Sequence, residues 1–407
     1  MLKLRRLMFK SAAIAVAVPA IGALASNSAH AQVARRGRQD DIDDDDDSRQ
    51  DRRPVGRGGA VFAMTNATAD NRIVAYLRGE DGHLDRVHSV STRGLGIGVD
   101  LDTQGAVRLS RDRRFLFAVN AGSDSVSVFD VFGTRLRFNQ QVDAGDQPVA
   151  LALSGRLLYV LNGSVAGNGI RGFVVRPGGR LAELPNSFRA LSSRIAVPGG
   201  IEFSPDGGVI LVAHKTTNVL QTPQNVIDGF AIGSDGYASS LPVANESVGI
   251  RPFSLAFRND GKLIVVEAFN ALDNRSAASS YDSFSDATIK PISRSIPNFQ
   301  TDSCWVEVSH DQRYAFVANF GSGTISSYRF DASGALTLID GAAAFLGDMS
   351  QPVDFAQSGD GRFLYLLLRG TGAVAALRIQ DGGRLRLLSI VDGGLPVADG
   401  ASGLAAY

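Results

Sequence analysis

The feature that most restricts what this chain can fold into is its internal repetition. Each unit opens with a short apolar segment and passes a polar turn of the Asp-Gly-Arg kind. It then enters a second apolar run that ends in Asn or a substitute, and continues into an alternating third strand. The fullest copy reads Gly105-Ala-Val-Arg-Leu-Ser, Arg111-Asp-Arg-Arg, Phe115-Leu-Phe-Ala-Val-Asn120 and Ser125-Val-Ser-Val-Phe129. A later copy repeats it as Cys304-Trp-Val-Glu-Val-Ser, Asp311-Gln-Arg, Tyr314-Ala-Phe-Val-Ala-Asn319 and Gly323-Thr-Ile-Ser-Ser-Tyr328.

First strands recur near Gly105, Pro148, Gly199, Pro252, Ser303, Pro352 and Gly400, at spacings of 43 to 53 residues. Nothing follows the last of them. The earliest unit, Ala60 to Asn66 followed by Arg72 to Leu77, has no first strand before it. These two defects complement each other. They predict an all-β, seven-bladed β-propeller of four-stranded blades over residues 59–407, with the C-terminal segment Ala401 to Tyr407 closing the ring inside blade one. Closure of this kind leaves no open sheet edge. A sandwich does not account for seven copies with a split first one, and a β-helix needs shorter coils.

Ahead of the repeats, Lys3, Arg5, Arg6 and Lys10 precede an apolar run from Ala12 to Ala25 and the small-x-small site Ala29-His30-Ala31. This pattern predicts a signal peptide over residues 1–31 and a periplasmic or secreted mature protein. Residues 32–58 carry Arg35, Arg36, Arg38, the acidic run Asp40 to Asp47, and Arg49, Asp51, Arg52 and Arg53. Such a charge-dense, core-poor segment is expected to be a disordered linker. No later stretch has the ~20 apolar residues of a membrane-spanning helix. The chain carries 41 Lys+Arg and 41 Asp+Glu, a balance that gives no sign of nucleic-acid binding. Cys304 is the only cysteine, so the fold is expected to hold without an internal disulfide.

In a propeller of this type the turns leaving the second strands and the loops entering the first strands share one face, which opens onto the central channel. Four second strands end in Asn66, Asn120, Asn162 and Asn319. Blade four has His214-Lys215 there, blade five Glu267 and blade seven Arg369. The entering loops bring Gln104, Gln147, Arg251, Asp302, Gln351 and Asp399 to the same face. Glu267 follows apolar residues in an inner strand, where burial raises a carboxyl pKa and a cation lowers it. His214 is the only histidine expected on this face, so a histidine-rich metal centre is not predicted. Glu267 and His214 are therefore the candidate proton-handling residues. Lys215, Arg251, Asp302, Asn120, Asn319 and Arg369 are the candidate ligand-binding residues. The sequence contains no Gly-x-Ser-x-Gly elbow, phosphate loop or zinc-type spacing, and no cofactor is expected. Cys304 is expected to be a packed thiol.

The phrases Phe203-Ser-Pro-Asp-Gly207, Glu267-Ala-Phe269 and Cys304 to Val308 with Ala318 to Tyr328 resemble the seven-bladed lactonase-type propellers. That family includes 6-phosphogluconolactonases and carboxymuconate-cyclising enzymes. The resemblance implies a lactone-opening or lactone-closing activity and carries the family's acidic residue onto Glu267. Where those enzymes carry histidine-containing phrases, this chain has Pro198-Gly199-Gly200-Ile201 and Phe253-Ser254. Two readings follow. In one the channel mouth processes a small anionic or lactone-type molecule; in the other it is a non-catalytic docking surface for such a molecule or for a protein partner.

Overall fold

The computed structural model describes residues 58–165, 167–216, 225–397 and 400–407. The expected signal peptide and nearly all of the expected linker lie outside the described residues, as does Asp399. Seven antiparallel sheets follow one another along the chain. Blade two runs Val107–Leu109, Phe115–Asn120, Ser125–Phe132 and Arg135–Asp143, from the channel outwards. Blades four to seven repeat this order, starting at Val197–Phe203, Pro252–Phe257, Ser303–Val308 and Pro352–Gln357. Blade three starts at Pro148–Ser154, and two short segments, Leu181–Glu183 and Arg189–Ala190, pair with its third strand.

Blade one is assembled from both ends of the repeat array. Leu404–Ala406 pairs with Gly59–Met64 in the register Val61↔Ala406, Phe62↔Ala405 and Ala63↔Leu404. The Arg78 guanidinium adds a bond to the Tyr407 carbonyl at 3.0 Å. The predicted closure is therefore present, and Leu404 and Ala405 are buried by it.

The second strands are buried along nearly their whole length, for example Phe115–Asn120, Tyr314–Asn319 and Phe363–Leu368. Packing between blades explains this, because both faces of each inner strand meet a neighbouring sheet. Tyrosines rivet adjacent blades: the Tyr159 hydroxyl reaches the Gly236 carbonyl, and the Tyr365 hydroxyl reaches that of Gly82. The turns between first and second strands repeat a Ser-x-Asp device. In Ser110–Asp112, Ser204–Asp206, Ser309–Asp311 and Ser358–Asp360 the serine Oγ donates to the aspartate at 2.6 Å. At Asp360 partial burial opposes ionisation, but Ser358 and both the amide and guanidinium of Arg362 outweigh it and hold the pKa at about 2. Among the described residues no helix is long and apolar enough to cross a membrane.

Candidate functional site

The loop from blade one into blade two does not simply skirt the channel; its end, residues 103–105, lies across it. The Gln104 side chain exchanges two hydrogen bonds with the Val306 backbone in blade six, at 2.8 and 2.9 Å, while its amide donates to the Gly199 carbonyl in blade four. Trp305 Nε1 donates to the Thr103 carbonyl, and Asp354 of blade seven accepts from the amides of Gly105 and Gly403. This plug divides the channel into an upper and a lower mouth. Close packing of blade four on blade five accounts for Gly199, where a Cβ would lie 2.1 Å from the Phe253 carbonyl oxygen.

Around the upper mouth the loops entering the first strands supply charge in a repeated way. Gln147, Arg251, Asp302 and Gln351 each precede a first strand with positive φ of 50° to 58°. The carbonyl of each accepts a bond from the residue after the second strand of the same blade, namely Gly163, Ala268, Phe320 and Arg369. Left-handed backbone is uncommon outside glycine. Here that carbonyl bond holds it at the same point in four blades. Arg251 and Asp302 thus occupy equivalent places in adjacent blades, and Arg251 Nη1 lies 3.7 Å from Asp302 Oδ1.

Further ion pairs complete the group. Lys215 Nζ is 2.5 Å from Asp102 Oδ2, also bonds the Asp102 carbonyl, and stands over the Phe253 ring at 5.0 Å. Arg369 Nη1 is 3.0 Å from Asp100 Oδ2, Nη2 donates to Gln351, and the guanidinium stacks over Phe320. Burial raises the Asp302 pKa, countered by Arg251 and the Cys304 thiol and reinforced by Asp102. Burial, reinforced by Asp102 and opposed by Arg369, likewise raises that of Asp100. Arg251 and Asp302 keep 24% and 18% of their side-chain surface, so solvent-borne ligands can reach them. Cys304 is the expected packed thiol, its pKa pushed well up by burial and by Asp302.

Of the candidate residues, the structure gathers Lys215, Arg251, Asp302 and Arg369 at this mouth. It adds Asp100 and Asp102, which sequence reasoning missed because they lie in a loop that resembles none of the other entering loops. It places Glu267, His214, Asn120 and Asn319 elsewhere: Glu267, Asn120 and Asn319 end their second strands, and His214 lies two residues before the end of its own. Each meets the third strand of its own blade, and Asn120 and Asn319 also bond the preceding blade. Asn120 donates to Ser125 and Ser127 and accepts from Asn71 and Thr92. Asn319 reproduces this with Thr324, Ser326, Asn298 and Ser303.

Glu267 takes the same slot in blade five. It accepts from the Gly249 amide at 3.0 Å, the Ser279 hydroxyl at 2.5 Å and the Ser295 hydroxyl at 2.6 Å, with no cation among these partners. Burial raises its pKa, and the three donors oppose the shift. His214 fills the slot in blade four, its Nε2 2.9 Å from Asp228 Oδ2, with both side chains fully buried. The proton-handling roles expected of Glu267 and His214 thus find no support in their placement. Their sequence signal was polarity at a strand end, and the physical need there is a partner for the third strand.

Residues 69–190 match the family described as Lactonase, 7-bladed beta-propeller. The match covers about a third of the chain and agrees with the lactonase-type resemblance read from the repeat phrases. Among solved structures, a putative 6-phosphogluconolactonase from Bacteroides fragilis is 16% identical, with a TM-score of 0.64 over 88% of this chain and 100% of that one. One from Bacteroides uniformis is 17% identical, with a TM-score of 0.66 over 86% and 99% of the two chains. A periplasmic gluconolactonase from Pseudomonas aeruginosa is 18% identical, with a TM-score of 0.63 over 86% and 99%. At these identities the likeness is one of fold. No curated protein matches the chain.

Proposed function

We propose that this lactonase-like propeller hydrolyses a small hydroxy-acid lactone at its upper mouth. The observation that carries the reading is the Arg251–Asp302 pair: 3.7 Å apart, both part-exposed, with the carboxyl pKa raised by burial. Neither group is consumed by the other. Asp302, ionised, takes a proton from water as the water oxygen attacks the lactone carbonyl. Arg251 holds the negative charge that develops on the carbonyl oxygen, and Lys215 and Arg369 contribute positive field around it. The ring C–O bond then breaks, the proton passes from Asp302 to the leaving ring oxygen, and a hydroxy acid results. Because the Asp302 pKa is raised, kcat/KM rises with pH through an inflection above the ordinary aspartate value.

Hydrolysis of gluconolactone, followed by acid release in a pH-stat, tests this. Asp302→Asn and Arg251→Ala are each expected to lower kcat/KM roughly 100- to 1,000-fold without moving the melting temperature. Turnover unchanged in both would end the proposal. The withdrawal of Glu267 and His214 from the mouth favours a second reading, docking of an anion without chemistry. Calorimetric binding of gluconate with no turnover of the lactone would select it. We further infer export, supported by the Ala29-His30-Ala31 pattern. N-terminal sequencing of the mature protein, expected to begin at Gln32, checks it.

A further inference from the structure

Below the plug, a cavity of about 420 Å³ opens at the lower mouth, lined by Gln104, Arg108, Glu202, Phe203, Ala256 and Glu307 among others. Its shape follows from strand register. Arg108, Ala152, Glu202, Ala256, Glu307 and Ala356 pair with Phe117, Tyr159, Leu211, Ile264, Phe316 and Tyr365, which lie three residues before Asn120, Asn162, His214, Glu267, Asn319 and Leu368 in their second strands. They form one level of the channel in blades two to seven. Charged residues alternate there with alanines, so the alanines leave the space and the charges face it.

The charges at this level do not balance. Arg108 is committed, its Nε to the Leu151 carbonyl at 3.0 Å and its Nη2 to Glu202 Oε2 at 2.6 Å. Among the described residues Glu307 forms no ion pair within 4 Å; Arg108 acts on it only at longer range, and its side chain receives the Gln357 amide at 2.9 Å on Oε1. Behind Arg108, Asp354 is held by the two plug-side amides of Gly105 and Gly403, which adds a further acid. Among the described residues the only other cation lining the cavity is Arg111, exposed at the outer lip beyond this level. Glu202 and Glu307 are half-buried, and a carboxylate partly withdrawn from water without an ion pair is costly to ionise; a cationic guest lowers that cost.

We propose that the lower mouth is a second binding site, separate from the upper one, which takes a small organic amine whose ammonium group sits between Glu202 and Glu307. Phe203 gives the cavity an aromatic wall for the amine's carbon skeleton. Burial pushes the Glu307 carboxyl up to about 7, with Gln357 and Arg108 pulling it down and Glu202 adding to the rise. Amine binding is therefore expected to tighten as pH rises through about 7 and Glu307 ionises.

Isothermal titration of the folded protein with putrescine and ethanolamine, with gluconate as the anionic control, tests the site. One amine per chain is expected in the wild type. Glu307→Gln should weaken it at least tenfold. Ala256→Leu, which fills the neutral side of the cavity and leaves every charge in place, should do the same. Arg251→Ala at the upper mouth should leave amine binding unchanged. The proposal is overturned if neither amine binds the wild type, if binding survives both lower-mouth substitutions, or if Arg251→Ala abolishes it. Loss of lactone turnover bears on the upper mouth alone, so the two readings fail separately.

Discussion

Arg251 and Glu267 bracket a single hairpin in blade five, yet only Arg251 reaches the upper mouth. Arg251 enters the first strand with a left-handed backbone, and its side chain meets Asp302 of the next blade. Glu267 ends the second strand with its carboxylate turned inward onto Gly249, Ser279 and Ser295. The same contrast separates Asp302 from Asn319 in blade six. Polar groups that terminate inner strands are spent on bracing their own blade and, at Asn120 and Asn319, on tying it to the preceding one, whereas those that lead into inner strands are free to face the axis. Bracing residues should accordingly govern stability, and entering residues should govern ligand chemistry.

The largest effect should come from removing what holds both sets in place. Deleting Ala401 to Tyr407 strips the inner strand from blade one and exposes the edge of Gly59–Met64. From the lost ladder and the buried Leu404 and Ala405, a loss on the order of 5 kcal/mol is expected. Denaturant unfolding of this truncation should show a far lower midpoint than deletion of residues 32–53, and equal midpoints would mean that the ring does not depend on its C-terminal strand.

Next in size is the loss of turnover on changing Arg251 or Asp302, with the melting temperature held. A substitution there that unfolds the protein would erase the distinction between entering and bracing residues.

Asn120→Ala and Asn319→Ala invert that pattern. Each removes hydrogen bonds from buried partners in two blades, Ser127 of blade two with Asn71 of blade one, and Ser326 of blade six with Asn298 of blade five. A cost of about 2–3 kcal/mol is expected for each, since an abandoned buried group loses its desolvation energy. Thermal unfolding should register it while kcat/KM stays level.

The smallest and sharpest test is Glu267→Gln. Because the folded pKa is raised, the folded protein keeps a proton that the unfolded chain releases. Wild-type stability should therefore fall as pH rises from the ordinary glutamate value through the folded one. The glutamine variant lacks that decline and should gain on the wild type at pH 8 relative to pH 4. Catalysis lost in this variant at unchanged stability would restore Glu267 to the active site.

The amino-acid sequence by itself determined the blade count, the split first blade and its closure, because each strand's burial pattern is written locally in alternating apolar residues and in turns such as Ser358-x-Asp360. It also pointed to Lys215, Arg251, Asp302 and Arg369, which the fold gathers in neighbouring ion pairs. What it could not separate was the direction of each side chain: Glu267 and Arg251 look equally suited to a mouth until backbone conformation and strand pairing turn one inward and the other to the axis. The plug was equally hidden. Gln104 meets Val306 across 202 residues of sequence, and no local pattern encodes a contact made only when seven blades have closed around it. The lower ring lay in between: Arg108, Glu202 and Glu307 are visible as charges in apolar strands, but only register puts them on one level with alanines between them. Local periodicity is a property of neighbours along the chain, whereas a site at the axis of a ring is a property of residues from every blade at once.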